Sequence, residues 1–408
     1  MTKKRYLSLI LILGSLTALG PFSIDMYLPA FKSIAKYLHT TTDQVALSLS
    51  SFFIGISAGQ LLYGPLLDRF GRKNPLYFGL GLYIVASIGC YFSTSLEMLI
   101  VLRFFQAVGS CAATVASMAM VRDLFPVEDN AKVFALLILV LGASPMLAPT
   151  IGSYVAAAFS WEVIFLILTI ISVLILLAVI FFLPESYQPD PGYSLKPKPI
   201  IGNFLQVMKN PQFFTYSLSG AFAFAGLFAY VSSSPIVFIE VFKVSEKGFG
   251  WIFALLSIGF IGSSQVNSML MKKFKSEQMV NVSLFSMVII SVIFLIGSLN
   301  GWFGIGGTIV MIFGVLSCVG ICYPNTAALS LAPFTKNAGA ASALLGAFQM
   351  AIGSLASVGI TLIKSHSPLP MAGVMAASAT VALLILLTGK RFIKNKIEAE
   401  KGAAVMAH

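Results

Sequence analysis

Apolar residues recur along the chain in tracts of about twenty residues, the length that spans a bilayer as a helix. They fall near 6–30, 45–67, 76–95, 97–120, 132–158, 162–183, 213–240, 248–271, 279–299, 303–330, 336–363 and 369–391. The tracts lack the period-2 alternation of an outer-membrane barrel. The pattern predicts an all-α integral membrane protein with twelve transmembrane helices. The longest interruption runs from Pro184 to Pro211 and holds Pro184, Pro189, Pro191, Pro197 and Pro199, which reads as a linker rather than a buried segment. The expected organisation is a six-helix bundle over 1–183, a cytoplasmic linker over 184–211, and a second six-helix bundle with a short cytoplasmic tail over 212–408.

Composition narrows the class. Of 408 residues, 58% are hydrophobic and 10% charged, against about 25% charged in a soluble domain. A soluble enzyme, a disordered regulator and a secreted disulfide scaffold are excluded. The net charge of +11 would suggest nucleic acid in a soluble domain, but here it sits in short loops and sets orientation. Twenty of the 26 lysines and arginines fall on the side that carries both ends of the chain, five on the other, and Arg103 lies inside a span. Both termini are therefore expected in the cytoplasm. Lys3, Lys4 and Arg5 before an apolar run resemble a signal peptide, yet the tract continues to Pro29, so it reads as an uncleaved first span. Cys90, Cys111, Cys318 and Cys322 all lie in apolar tracts without metal-ligand partners, so no metal site and no disulfide framework is expected.

The halves repeat in spacing. Arg69 and Lys273 follow the second and eighth spans, Lys132 and Lys336 open the fifth and eleventh, and both pairs are separated by half the chain length. Two units of six helices related in this way are the plan of two-bundle secondary transporters.

Two ionisable side chains lie well inside the first-half spans, Asp25 and Arg103. An intramembrane charge is costly and points to function. Asp25 lies roughly 8 Å and Arg103 roughly 10 Å from the same end of their spans at about 1.5 Å per residue, so they could face one cavity. The competing readings are a carboxylate hydrated at the interface for Asp25 and outward snorkelling for Arg103. Tyr27, Gln60, Gln106, Asn325 and Gln349 are polar candidates for lining a substrate cavity, with Phe224, Phe228 and Tyr230 on the seventh span as aromatic ones. For the three aromatics, contact with lipid or core is the competing reading.

Between the second and third spans runs Gly64-Pro65-Leu66-Leu67-Asp68-Arg69-Phe70-Gly71-Arg72-Lys73. Gly64 would permit close helix approach. Asp68 sits at a helix C-terminus, where the dipole disfavours an anion, so it needs a cationic or dipolar partner. Arg69, Arg72 and Lys73 can pair locally, bind anionic lipid, or only enforce topology. In the fifth span, Gly142, Pro145, Pro149 and Gly152 combine two potential kink sites with close-packing positions.

The Gly64–Lys73 segment resembles the G-x-L-x-D-R-x-G-R-K/R signature of the major facilitator superfamily. The segment from Gly142 to Gly152 resembles that superfamily's antiporter motif, with some glycines replaced by Ala, Ser and Pro. Ser23-Ile24-Asp25-Met26-Tyr27-Leu28-Pro29-Ala30 is similar to the T-D-M-Y-L-P-A stretch of Bcr/CflA-type drug/proton antiporters. Arg103 to Gly109 resembles their R-x-x-Q-G motif, with Ala107 for the usual Gly; Arg122-Asp123 and Pro184-Glu185-Ser186 also fit. The resemblance covers essentially the whole chain and implies the major facilitator fold. It also implies a bacterial inner-membrane location and export driven by protons. By the same resemblance Asp68 would clasp the start of the eleventh span, near Thr335 to Ala338, when the cytoplasmic side is shut, and Gly142 to Gly152 would form a hinge and seal. The matching stretch of the second half, Asn267 to Lys275, lacks the acid.

The functional expectation is a proton-coupled antiporter exporting small hydrophobic or amphiphilic compounds by alternating access, with Asp25 and Arg103 as the proton-coupling pair. The alternatives are export of an endogenous metabolite or siderophore, and a passive facilitator. At an assumed 150 mV, one proton supplies roughly 3.5 kcal/mol, enough for a gradient of roughly a few hundred-fold. No nucleotide-binding G-x-x-x-x-G-K-S/T motif is present. No cofactor is expected, nor enzymatic activity; the expected partners are a small-molecule substrate, protons and membrane lipid, with no nucleic acid, in a monomer.

Overall fold

A computed structural model describes residues 3–125, 127–190, 195–334, 338–363, 367–393 and 397. The first half comprises α1 (Lys3–Asp25), α2 (Phe31–Tyr37), α3 (Thr42–Phe70), α4 (Lys73–Tyr91), α5 (Leu96–Leu124), α6 (Val127–Ala158) and α7 (Glu162–Phe182). After the linker helix α8 (Pro197–Met208) come α9 (Pro211–Pro235), α10 (Glu246–Leu270), α11 (Ser276–Leu299), α12 (Ile305–Leu331), α13 (Ala338–Leu362) and α14 (Leu369–Gly389). Among the described residues, 11 helical stretches are long and apolar enough to cross a membrane. The 19-residue α4, packed between α5 and α7, completes the twelve-helix arrangement.

Local sequence explains where the helices begin. Thr41 and Gln44 form a capping box at α3, and Ser95 and Ser245 accept from the third amide of α5 and α10. Asn210 caps α9, with Pro211 at its first position. At the other end of α3, Gly71 takes φ of +80°, which only glycine adopts without strain.

Within the first half α5 packs on α3 and α4, and α1 on α5 and α6; within the second, α9 packs on α12, α13 and α14, and α12 on α10 and α11. The halves meet along two seams, α3 with α13 and α6 with α10. These are the second, eleventh, fifth and eighth spans, the same four that the repeat spacing pairs. The face that carries the chain start and α8 is the linker side below; the opposite face, where α3 begins, is the far side.

Three expectations are corrected. The first span is not continuous to residue 30: α1 stops at Asp25, and a 3-10 turn over Leu28–Ala30 leads into α2. Pro29 has no N–H to give the Asp25 carbonyl, so the α-helical bonding lapses there and the tighter turn takes over. The linker is not free of buried positions, because its second half is α8, started by Pro197 at its N-terminal turn, and Val207 in it is fully buried. Gly64 is not a close-approach site, since a Cβ there would meet nothing within 4 Å. That role belongs to Gly109, where a Cβ would strike the backbone of Gly79 and Tyr83.

Candidate functional site

The break in α1 is seated on α6. A side chain at Gly152 would collide with the Met26 carbonyl, so the bare glycine lets the chain after Asp25 lie directly on α6. One turn away, Gly250 of α10 meets Pro149, Thr150 and Ser153, so the same stretch of α6 carries a seam between the halves. Pro145 and Pro149 both lie inside α6, which remains one helix through them, and Gly142 belongs to the same helix.

Asp25 is only 4% exposed, so the hydrated-interface reading does not describe it. Among the described residues no hydrogen bond or ion pair reaches its carboxyl. It neighbours Tyr230 of α9, in the other half, whose buried hydroxyl also has no hydrogen-bond partner among the described residues. Tyr230 packs on Phe253 of α10 at 5.1 Å.

Arg103 does not pair with Asp25, and this corrects the expectation of a shared cavity. Nor does it snorkel: it is 0% exposed. It donates through Nη1 to Gln106 Oε1 at 2.6 Å and through Nη2 to the Ser23 carbonyl at 2.9 Å. Its guanidinium lies over the rings of Phe52 (4.2 Å), Tyr27 (4.6 Å) and Phe165 (5.8 Å), an arrangement that stabilises a desolvated cation. Gln106 donates onward to Ser87, and Ser23 shares a hydrogen bond with the Tyr83 hydroxyl. The arginine therefore binds α1, α3, α4, α5 and α7 together. Two cavity candidates are absorbed by this hub: Gln106 is fully buried inside the first half, and Tyr27 covers Arg103 while its hydroxyl bonds to Ser48. Asn325 is likewise internal to the second half, bonded to Asn267 of α10 at 2.7 Å.

Of the remaining cavity candidates, Phe228 and Gln60 reach across the halves, and Phe224 and Gln349 adjoin them from the second half. Phe228 lies 4.3 Å from Phe53 of α3 and 5.4 Å from Phe224. Phe224 lies 4.8 Å from Tyr323, whose hydroxyl donates to Gln349 at 2.9 Å. Gln60 packs against Gly346 of α13, where any Cβ would press on its amide. Towards the far side the α3–α13 seam becomes polar. Ser50 bonds to Ser357 at 2.6 Å, Ser354 donates to the Ser50 carbonyl at 3.1 Å, and Ser232 of α9 donates to Ser357 at 2.7 Å. At the rim, Thr42 donates to Glu240, which lies in the π-helical turn Ile236–Val241 that extends α9. The far side is thus shut by hydroxyls, one carboxylate and an aromatic layer.

Sequence reasoning missed Phe53, Tyr323, Glu240 and the serines. Ser354 and Ser357 carried the one usable signal, small hydroxyl residues three apart on a single helix face.

On the linker side a second cluster locks the first half internally. Arg72 reaches Asp68 at 3.0 Å and Asp123 at 2.8 Å. Burial works against its charge, but Asp123 and Asp68 outweigh burial and push its pKa up. The Glu185 carboxylate accepts from the backbone amides of Arg72 (2.9 Å) and Lys73 (3.0 Å), neutralising the start of α4. Ser186 donates to Asp123, and Arg72 stacks on Tyr187 at 4.2 Å. A Cβ on Gly71 would crowd the Glu185 carboxylate, a second reason for glycine there. Arg69 ends α3 beside this cluster. The expected clasp of Asp68 on the start of α13 involves Thr335–Asn337, which lie outside the described residues.

The geometry is that of two helical bundles meeting along two seams, with a buried acid beside one of them, and comparison with known proteins agrees on the fold. The chain is 32% identical over 378 residues, 92% of its own length and 94% of the relative's, to a bicyclomycin resistance protein homolog of Haemophilus influenzae. It is 29% identical over 384 residues, 92% of its length and 88% of the relative's, to a chloramphenicol resistance protein of Pseudomonas aeruginosa. In fold it is similar to the xylose transporter XylE of E. coli in a partially occluded inward-open conformation, with a TM-score of 0.73 and 12% identity over 95% of this chain and 98% of that one. The family model of the Major Facilitator Superfamily matches residues 13–360. Matched over most of its length in sequence and over nearly all of it in fold, this multi-pass membrane protein belongs to the major facilitator superfamily.

Proposed function

We propose that the chain is a proton-coupled antiporter that exports small hydrophobic or amphiphilic compounds, antibiotics among them, across the bacterial inner membrane. The linker side is then cytoplasmic, as the distribution of lysines and arginines implies. The observation that carries the reading is Asp25: an almost fully buried carboxyl without a counter-ion, at a helix break that rests on one inter-half seam. A break in a membrane-spanning helix is the kind of place where secondary transporters bind their coupling ion.

The cycle follows from two states. In the state described here the far side is shut, which keeps external protons from Asp25. Parting the serine seam and the aromatic layer opens the far side and gives the carboxyl access to external protons. Proton and substrate need not share atoms; they need only favour opposite states. Arg103 does not carry a proton, because arginine stays charged inside proteins. Its bond to the Ser23 carbonyl holds the last turn of α1 and so positions Asp25. Gln60, Gln349, Tyr323, Phe224 and Phe228 supply the polar and aromatic surface for the substrate. The names of the two resistance relatives support antibiotics as its class.

The test is transport of chloramphenicol in proteoliposomes under an imposed pH gradient. Wild type should concentrate it, and Asp25→Asn, nearly isosteric, should stay folded and lose uphill transport. Accumulation by Asp25→Asn at the wild-type rate would remove Asp25 as the proton site. Equilibration without accumulation by wild type would mark a passive facilitator, and no movement would favour an endogenous metabolite.

A further inference from the structure

The linker helix α8 has an apolar arc wider than the surface it packs. Val207 is 0% exposed and Phe204 and Met208 are partly buried, set against Ala341, Leu344 and Leu345 of α13 and Leu61 of α3. At about 100° per residue, Ile201 and Leu205 continue this arc on one flank, yet they are 53% and 51% exposed. The opposite flank carries Asn203 and Gln206, and the tip between the flanks carries Lys198 and Lys209. From Leu195 to Asn210 there is no acidic residue. The helix is joined at both ends to membrane-spanning helices, α7 and α9, so it lies at the bilayer surface rather than far from it.

We propose that α8 is an interfacial lipid-binding helix, with Ile201 and Leu205 sunk into the acyl boundary and Lys198 and Lys209 holding anionic phospholipid headgroups. An apolar flank bordered by lysines, with a polar flank turned to water, is the arrangement that binds in the plane of a bilayer. The charge complement of the helix is one-sided: it carries lysines and no acid of its own, so it attracts an anionic leaflet. Because α8 also packs on α13 and Leu61, the bound lipid is coupled to the linker-side end of the α3–α13 seam. The inference needs only the membrane-embedded fold and is independent of what is exported.

The full-length protein provides its own labelling background, since its four cysteines are buried. Leu205→Cys and Gln206→Cys are each labelled with an environment-sensitive fluorophore and reconstituted into phosphatidylcholine vesicles containing phosphatidylglycerol. The probe at 205 should be quenched by shallow nitroxide-labelled lipid and protected from iodide; the probe at 206 should behave oppositely. Iodide quenching at 205 equal to that at 206 would overturn the seat in the bilayer. Separately, phosphatidylglycerol retained by purified wild type is compared with that retained by the Lys198→Gln/Lys209→Gln variant. The variant should lose up to about 30-fold of the preference over phosphatidylcholine, about 1 kcal/mol for each lysine. Equal retention would overturn the headgroup assignment. Both lysines are exposed, so neither change threatens folding.

Discussion

Removing the Ser50 hydroxyl should open the far side, and removing the Ser232 hydroxyl should not. The four serines form a chain in which Ser232 donates to Ser357, Ser357 shares a bond with Ser50, and Ser50 donates to the Ala46 carbonyl. Only some of these bonds join the halves. Ser50–Ser357 and Ser354 to the Ser50 carbonyl run between α3 and α13 and must break when the far side opens. Ser232–Ser357 joins α9 to α13, both in the second half, and survives in either state. A bond between membrane helices contributes about 0.6 kcal/mol on average and up to about 1.7. Losing one cross-half bond should therefore raise the far-side-open population by about 3- to 18-fold. The reporter is Val237→Cys in the far-side turn beside Asp43 and Ile360, buried in the closed state. Its labelling rate with a membrane-impermeant maleimide, added from the far side, reads the open population. Ser50→Ala and Ser354→Ala should each speed labelling within that range, while Ser232→Ala leaves it within about twofold. Equal acceleration by Ser50→Ala and Ser232→Ala would mean that the serines only stabilise helices generally. No acceleration by Ser50→Ala would mean that the seam does not hold the gate.

Other outcomes follow from the same geometry. Arg103→Met should lower unfolding stability by about 2–4 kcal/mol, because the Ser23 carbonyl and Gln106 lose charge-assisted partners; Arg103→Lys should recover part of it, and thermal denaturation in detergent measures both. A wild-type melting point for Arg103→Met would refute the hub. Gly152→Val should destabilise by about 1–3 kcal/mol through overpacking against the Met26 backbone, and it should also displace Asp25 and impair pH-driven uptake into proteoliposomes. Wild-type stability and uptake together would contradict that contact. Glu185→Ala should leave the first amides of α4 without an acceptor, at about 1 kcal/mol, so hydrogen exchange at Arg72 and Lys73 should accelerate about fivefold. Unchanged exchange would show that water replaces the carboxylate without loss.

The spans, their number and the two-half division were legible because bilayer thickness imposes one length on every helix. The break at Asp25 was half legible. Pro29 and the acid were both visible, but a hydropathy pattern runs through Leu28 to Phe31 without interruption. The depths of Asp25 and Arg103 suggested a pair, and that failed for a directional reason. Depth along two helices says nothing of rotation about them, and Arg103 turns towards the Ser23 carbonyl and three aromatic rings instead. Gln106 and Asn325 misled similarly, because polar atoms inside a helical bundle are satisfied by their own bundle as readily as by a cavity. Asp123 and Glu185 stood in stretches that resemble Bcr/CflA-type antiporters, yet their meeting with Arg72 brings together the last turn of α5, the segment after α7 and the loop before α4. No spacing rule reaches that far.

The Glu185 contact also shortens the tether between the halves. Pro184 to Pro211 reads as a long free linker, but Glu185 is fastened to the start of α4 and α8 is laid against α13. Asp190 is fastened too, its N–H donating to the Asp68 carbonyl at 3.3 Å. Only the seven residue steps from Asp190 to Pro197 therefore join the two anchored ends, and such a length reaches at most about 25 Å when fully drawn out. A leash of that length keeps each half at an effective concentration in the millimolar range for the other. It also sets an outer bound on how far the bundles can rock apart before the chain itself pulls on the first turn of α4.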